Sequence, residues 1–277
     1  MKLLFFLLFF ICYSVASVGQ SSLIEKDGFL YTNTILYSEK DIPVLSLIDT
    51  GCSLCVIDST FVSKNIVINS LDSNYVLINS NNYKVSFCVI DSLFFCGKKY
   101  QNVKCFVADL KGKYRRYAPE FIIGAEILKD RILKFDRYTK KIEPLNVKCK
   151  EKGDVYKWKD WKSFGDIPYE SIVFECEIDK EKYNFIFDSG SKKNKLPRGI
   201  QFADYELVKV ESANLLHSLS IQEQRVYKNT CVKIAGRSNC LDFYEGQNKY
   251  GQLNLDLLNG HSFVLNYSEK KLIVLPY

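Results

Sequence analysis

Histidine is nearly absent from this 277-residue chain: there are two, His217 and His261, in no paired metal-ligand spacing. That scarcity excludes a histidine-based zinc hydrolase, and it leaves a Ser-His or Cys-His triad only the form built on one isolated imidazole. Proline is sparse, at six residues, and no stretch shows the sustained Ala, Leu and Glu periodicity of a helical bundle. Beyond the first residues no apolar run is long enough to cross a bilayer as a helix. The positive excess is small, 38 Lys and Arg against 32 Asp and Glu, and the lysines are scattered rather than striped. Such a distribution describes a solvated surface and not a nucleic-acid site.

What the chain does contain is aromatic and β-branched: 18 Tyr, 19 Phe and an overall hydrophobic share of 47%, the composition of a globular, mostly-β protein. It opens with one cation, Lys2, a Leu- and Phe-rich block through Ile11, and small residues at Ser14 and Ala16. This is the pattern of an export signal. Residues 1–19 are therefore read as a signal peptide, and the mature chain is expected in the periplasm or extracellular space, with no stable membrane insertion after signal removal.

Nine cysteines lie beyond the signal, an odd number that leaves at least one thiol free or intermolecular. Cys231 with Cys240, and Cys96 with Cys105, are each close enough in sequence to bridge a hairpin. The Cys52-Ser53-Leu54-Cys55 spacing invites a redox reading. Val56-Ile57-Asp58 follows as a strand-like step rather than a helix, so buried or structurally paired cysteines are expected there.

Strand-like runs cover Phe29 to Leu36, Val44 to Ile48, Tyr83 to Phe95 and Val103 to Val107, broken by turns such as Ser80-Asn81-Asn82 and Gly97-Lys98-Lys99. Only two short helical stretches stand out, near Ala125 to Lys129 and near Asp256 to Leu258.

The halves of the chain repeat one another. In the first, Gly28 to Tyr37 turns and returns as Pro43 to Ile48, ending in Asp49-Thr50-Gly51-Cys52-Ser53. In the second, Ser171 to Ile178 turns at Asp179-Lys180 and returns as Tyr183 to Phe187, ending in Asp188-Ser189-Gly190-Ser191. Downstream, Phe121 to Leu128 has its parallel in Gly251 to Leu258, each followed by a strand and a Lys-Lys step. Two units are read, residues 20–146 and 166–277. Between them, 147–165 forms a Lys-rich linker whose Trp158 and Trp161 pack it onto a neighbouring unit.

Paired carboxylates suit hydrolysis. Two carboxyl groups held face to face cannot both ionise cheaply, so they share one proton; one can then act as base on a water while the other acts as acid on a carbonyl. No metal or other cofactor is required. The Thr50 and Ser189 hydroxyls can bond across to the opposite loop's backbone, and Gly51 and Gly190 let the two loops approach.

With those residues in view, the chain resembles the pepsin-like and retropepsin-like aspartic peptidases, most of all exported bacterial members with two lobes in one chain. The resemblance rests on the doubled apolar-apolar-Asp-Thr/Ser-Gly segment and on Ile122 to Leu128, and it extends over nearly all of the mature chain. It implies two pseudo-symmetric acid-protease-like β-barrel lobes with a cleft between them, a catalytic dyad of Asp49 and Asp188, a polypeptide substrate and a monomer. It also implies a flap hairpin, for which the turn beside Tyr83 is the candidate. The second half departs from the pattern: Lys192-Lys193 stand where an apolar pair is usual, and Leu253-Asn254 replaces apolar-Gly. Those departures carry the alternative, a non-catalytic peptide-binding or inhibitor protein of the same fold in which Lys192-Lys193 hold Asp188 permanently charged.

Overall fold

The computed structural model describes residues 19–66, 72–78, 81–114, 119–146, 151–163, 169–212 and 220–277; at 72–78, 81–84, 113–114 and 212 it describes the backbone only. Residues 1–18, almost all of the expected signal, lie outside this set, as do Cys149 and His217. Strand accounts for 56% and helix for 10%, which places the chain in the mostly-β class expected from composition. Among the described residues no helix is long and apolar enough to cross a membrane.

In chain order the first half supplies β1 (Ser21–Ser22), β2 (Ile24–Lys26), β3 (Phe29–Ser38), β4 (Lys40–Ile48), β5 (Cys55–Asp58), β6 (Asp72–Ile78), β7 (Asn81–Phe95) and β8 (Lys98–Ala108). It continues with β9 (Phe121–Ile123), β10 (Ile132–Asp136), β11 (Lys141–Leu145) and β12 (Asp154–Lys157). The second half supplies β13 (Ile172–Ile178), β14 (Glu181–Phe187), β15 (Asn194–Lys195), β16 (Glu206–Ser212) and β17 (Ser220–Ile234). Then come β18 (Arg237–Tyr244), β19 (Gly251–Leu253), β20 (Phe263–Asn266) and β21 (Lys271–Val274). The helices are α1 (Ser59–Asn65), α2 (Leu110–Tyr114) and α3 (Ala125–Leu128), with a 3-10 turn at Leu255–Leu258.

Residue alternation explains the strands. From Thr32 to Ser38, β3 buries every second side chain, the period-two signature of a sheet with one face on a core. The hairpin from β13 to β14 turns through Asp179 and Lys180, both at positive φ, the backbone that two-residue hairpin turns require.

Three sheets result. The first closes on itself: β3-β4-β9-β5-β8-β7 returns to β3 through Ile35↔Phe94 and Leu36↔Leu93, making a six-stranded barrel with β2 and β6 appended. The second runs β13-β14-β19-β15-β18-β17 and returns to β13 through Cys176↔Ile234, with β16 appended. Strand for strand, the senses of pairing agree. β4 with β9 and β14 with β19 are parallel; β5 with β9 and β15 with β19 are antiparallel; β5 with β8 and β15 with β18 are parallel.

The third sheet, β1-β11-β10-β20-β21-β12, draws strands from both halves and is joined at its centre by Leu133↔Leu265, Lys134↔Val264 and Phe135↔Phe263. The Phe135 and Phe263 rings stack there at 4.5 Å. The segment expected as a linker contributes a strand of its own, because β12 forms the edge of this sheet against β21. Trp158 is buried edge-on to Tyr267, and Trp161 lies against Tyr169.

Both expected helical stretches are present, at α3 and at the 3-10 turn. The sequence reading missed α1 and α2. Asp58 ends β5 and caps α1 by accepting from the Phe61 amide at 2.9 Å, while its second oxygen takes the Lys111 amide at 3.0 Å. One buried carboxylate thus anchors two short helices that carry too few residues for a periodic signal.

The cysteines divide. Cys231 and Cys240 are directly opposed in the β17–β18 hairpin and form a disulfide. Cys96 and Cys105 have the same spacing but do not pair, which corrects that expectation. Cys96 sits at the β7–β8 turn, at φ 46°, while Cys105 is opposed to Cys88 on one side and Cys55 on the other. Hairpin register, not sequence separation, decides which thiols meet. Peptide mapping after alkylation without reductant should therefore recover the Cys231–Cys240 cross-link. In the native state Cys55, Cys88, Cys96, Cys105 and Cys176 should resist labelling until denaturant is added; rapid native labelling of any of these five would contradict their burial.

Candidate active site

Two strand ends, of β4 and β14, come together at one place. β4 finishes in the buried pair Leu47-Ile48 and β14 in buried Phe187, so the chain leaves each core at the next residue, an aspartate. Each aspartate is pinned to the parallel strand beside it: the Asp49 amide donates to Ile123 O at 3.1 Å, and the Asp188 amide to Leu253 O at 2.8 Å.

The two loops are tied by four reciprocal hydrogen bonds. Thr50 Oγ1 donates to Phe187 O at 3.0 Å and accepts from the Ser189 amide at 3.0 Å. Ser189 Oγ donates to Ile48 O at 2.8 Å and accepts from the Thr50 amide at 3.0 Å. Both hydroxyls are about 1% exposed, so these are buried polar groups with every bond made inside the protein. Gly51 and Gly190 are required for proximity rather than for φ. A Cβ on Gly51 would collide with the Asp188 carboxyl, and one on Gly190 with the Asp49 carboxyl.

The structure thus brings Asp49, Thr50, Gly51, Asp188, Ser189 and Gly190 into one site. The two carboxyl groups lie against the opposite loops' glycines, close enough that each acts on the other's protonation. Each also receives the amide two residues ahead: Gly51 N to Asp49 Oδ1 at 2.8 Å, Gly190 N to Asp188 Oδ1 at 2.9 Å. Burial raises both acids above the ordinary carboxylate range, and for Asp49 the charge of Asp188 raises it further. For Asp188, hydrogen bonds from Asp49 and Gln252 and the cationic Lys195 pull the other way. Two carboxyls in this relation hold one proton between them.

The surroundings of the two acids differ. Beside Asp49, Val56 of β5 pairs with Ile122 of β9, within an apolar cluster that includes Phe29, Tyr31 and Leu47. Beside Asp188, the same rung is Lys195 of β15 paired with Gln252 of β19, and Gln252 Nε2 donates to Asp188 Oδ2.

A cation that acts on Asp188 is Lys195, and of the Lys192-Lys193 pair expected there Lys193 is engaged elsewhere. Lys193 turns away, its Nζ donating to Glu211 O at 2.8 Å and lying 5.2 Å from the Tyr244 ring; burial and the charge of Lys195 bring its pKa down to about 8. The sequence held a signal that went unused: Val56 and Lys195 each follow their aspartate by seven residues.

Asn254, which departs from the glycine of the repeat, is accommodated by side chains. Its oxygen caps the 3-10 turn at the Asp256 amide, 2.9 Å away, and its own amide donates to Asn194 Oδ1 at 2.8 Å.

Other expected residues stand apart. Tyr83 lies on β7 opposite Val76 of β6, in a hairpin whose connection, 79–80, falls outside the described residues, as does the Tyr83 side chain. Cys52 and Cys55 are buried and unpaired, and burial with nearby carboxylates pushes both thiols up, opposite to what a reactive thiolate needs. His261 caps Leu275 O at 3.0 Å and packs on Tyr277. Among the described residues no three His, Cys, Asp or Glu side chains are grouped to hold a metal ion.

No family model matches the chain, and no curated protein matches its sequence.

Two outcomes follow from the site's energetics. Thr50→Val leaves Phe187 O and the Ser189 amide without partners in a buried place, and should cost about 1–3 kcal/mol of stability in urea unfolding. Asp49 has a folded pKa above its unfolded one, so the folded state binds more protons between those values and stability falls as pH rises through that window. Asp49→Asn should therefore melt higher than the parent at neutral pH, with the gain vanishing below about pH 4. Equal melting temperatures across pH would contradict the raised acid.

Proposed function

We propose that this protein is an aspartic endopeptidase, in which Asp49 and Asp188 activate a water molecule to hydrolyse peptide bonds. On this reading the two closed strand cycles are pseudo-symmetric lobes of acid-protease type, residues 20–146 and 166–277. The protein is exported after loss of residues 1–19, works as a monomer and needs no cofactor. The observation that carries the proposal is the pair of facing carboxyls on two loops cross-tied by Thr50 and Ser189.

The chemistry follows from one shared proton. A water set between the carboxyls loses a proton to the ionised acid as its oxygen attacks the amide carbon, while the protonated acid donates to the carbonyl oxygen. The tetrahedral diol that forms carries no net charge. Its collapse breaks the C–N bond, the amine leaving with a proton from the site. An extended polypeptide would lie across the cleft, held partly by backbone hydrogen bonds, with the β6–β7 hairpin that bears Tyr83 as the segment closing over it.

Purified protein lacking the leader, incubated with a diverse peptide mixture from acidic to neutral pH, should cut it. Asp49→Asn and Asp188→Asn should each lower kcat by at least about 100-fold. A folded protein that cuts nothing at any pH would refute the enzyme reading in favour of a peptide-binding or inhibitor protein of the same fold.

A further inference from the structure

The two acids are chemically alike but are set on unlike floors. Under Asp49 the rung is Val56 and Ile122, which offer no hydrogen bond. Under Asp188 the rung is Lys195 and Gln252. Directly opposed residues of an antiparallel pair point to one face, so the Lys195 side chain leaves the sheet on the face from which Gln252 reaches Asp188 Oδ2. With Gly190 N on Oδ1 and Gln252 Nε2 on Oδ2, both oxygens of Asp188 accept from donors outside the dyad. Asp49 receives the Gly51 and Cys52 amides. Other ionisable groups described near the pair include the Cys52 thiol and the Tyr267 phenol, both driven toward their neutral forms by burial, and Lys193, which feels the charge of Lys195.

We propose that Lys195 and Gln252 are positioning residues that fix the dyad's single negative charge on Asp188 and leave its proton on Asp49. This rests on the peptidase reading above and gives the proton transfers a direction. Asp188 takes a proton from water as the C–O bond forms, and Asp49 gives its proton to the carbonyl oxygen, leaving a neutral diol, an ionised Asp49 and a protonated Asp188. In the second half Asp49 recovers a hydroxyl proton as the C–N bond breaks, and Asp188 protonates the leaving nitrogen. The dyad returns to its starting state with one water consumed. A cation and an amide donor on the ionised partner also keep the dyad singly charged further into acid than the acids alone would manage.

The test is a carboxyl carbon NMR titration of the whole protein labelled at aspartate, with the two resonances assigned by Asp49→Asn and Asp188→Asn. Asp188 should lose its proton at lower pH than Asp49. Lys195→Met and Gln252→Leu, two separate near-isosteric changes so that one can report if the other fails to fold, should each move the Asp188 titration upward. Lys195→Arg should leave it in place. In peptide hydrolysis the acid limb of kcat should move up by about 1 unit or more in Lys195→Met, with KM little changed. Asp49 titrating first, or titrations unmoved in folded variants, would overturn the assignment. A protein that titrates in the expected order but cuts no peptide would sink the peptidase reading and leave the placement of charge standing.

Discussion

Two backbone segments that leave separate sheets and turn toward each other bring along amides and carbonyls that water cannot reach, and each must find a partner. At this site the partners are two hydroxyls. A hydroxyl can donate once while accepting, and Thr50 and Ser189 each do so, to the carbonyl preceding or just before the opposite aspartate and from the amide of the opposite hydroxyl residue. Neither valine nor alanine could satisfy that demand, and a carboxylate or amide side chain would bring bulk where the loops leave no space. The aspartates are thus brought together by satisfaction of backbone bonds beneath them, not by any attraction between them. The repulsion that two ionised carboxylates would feel is relieved by the one proton they share.

That order of causes explains why so much of the site could be read from sequence. A motif whose every residue has a steric or bonding duty is short and sharply specified, so the doubled Asp-Thr/Ser-Gly stands out even without relatives. The strands before it were legible for the same reason, since Leu47-Ile48 and Phe187 must be apolar to enter a core. Pairing register is not written in this way. It is set by turns and bulges over many residues, which is why Cys96 and Cys105 looked like partners and are not, and why β12 was hidden in a Lys-rich stretch whose sheet partner lies more than a hundred residues away. Lys195 went unnoticed because it belongs to a two-residue strand, too short for any pattern, whose meaning comes only from the rung it shares with Gln252.

The polar floor under Asp188 is also a place where local rules are broken. A lysine partly buried in a barrel wall costs desolvation, and the carboxylate beside it offsets only part of that cost. The first barrel fills the equivalent rung with Val56 and Ile122, so the fold itself does not ask for the exchange. Departures of this kind, where the backbone is the same and the chemistry is not, are where function is to be sought.

At the seam between the halves, Leu133 faces Leu265 and Phe135 faces Phe263, with Lys134 opposite Val264 between them. Counting back from the shared Lys-Lys step, Leu133 corresponds to Phe263, Lys134 to Val264 and Phe135 to Leu265. Leu133 thus meets the residue that corresponds to Phe135, and Phe135 the one that corresponds to Leu133, a reciprocity that isologous dimer interfaces also show. In a dimer of identical subunits both aspartates would have to share one floor, and any charge between them would be even-handed. Joining the halves covalently lifts that constraint: Val264 need not be lysine because Lys134 is, and Lys195 need not be valine because Val56 is. With both halves on one chain, the rungs near the two acids are free to differ, and they do: Val56 with Ile122, Lys195 with Gln252.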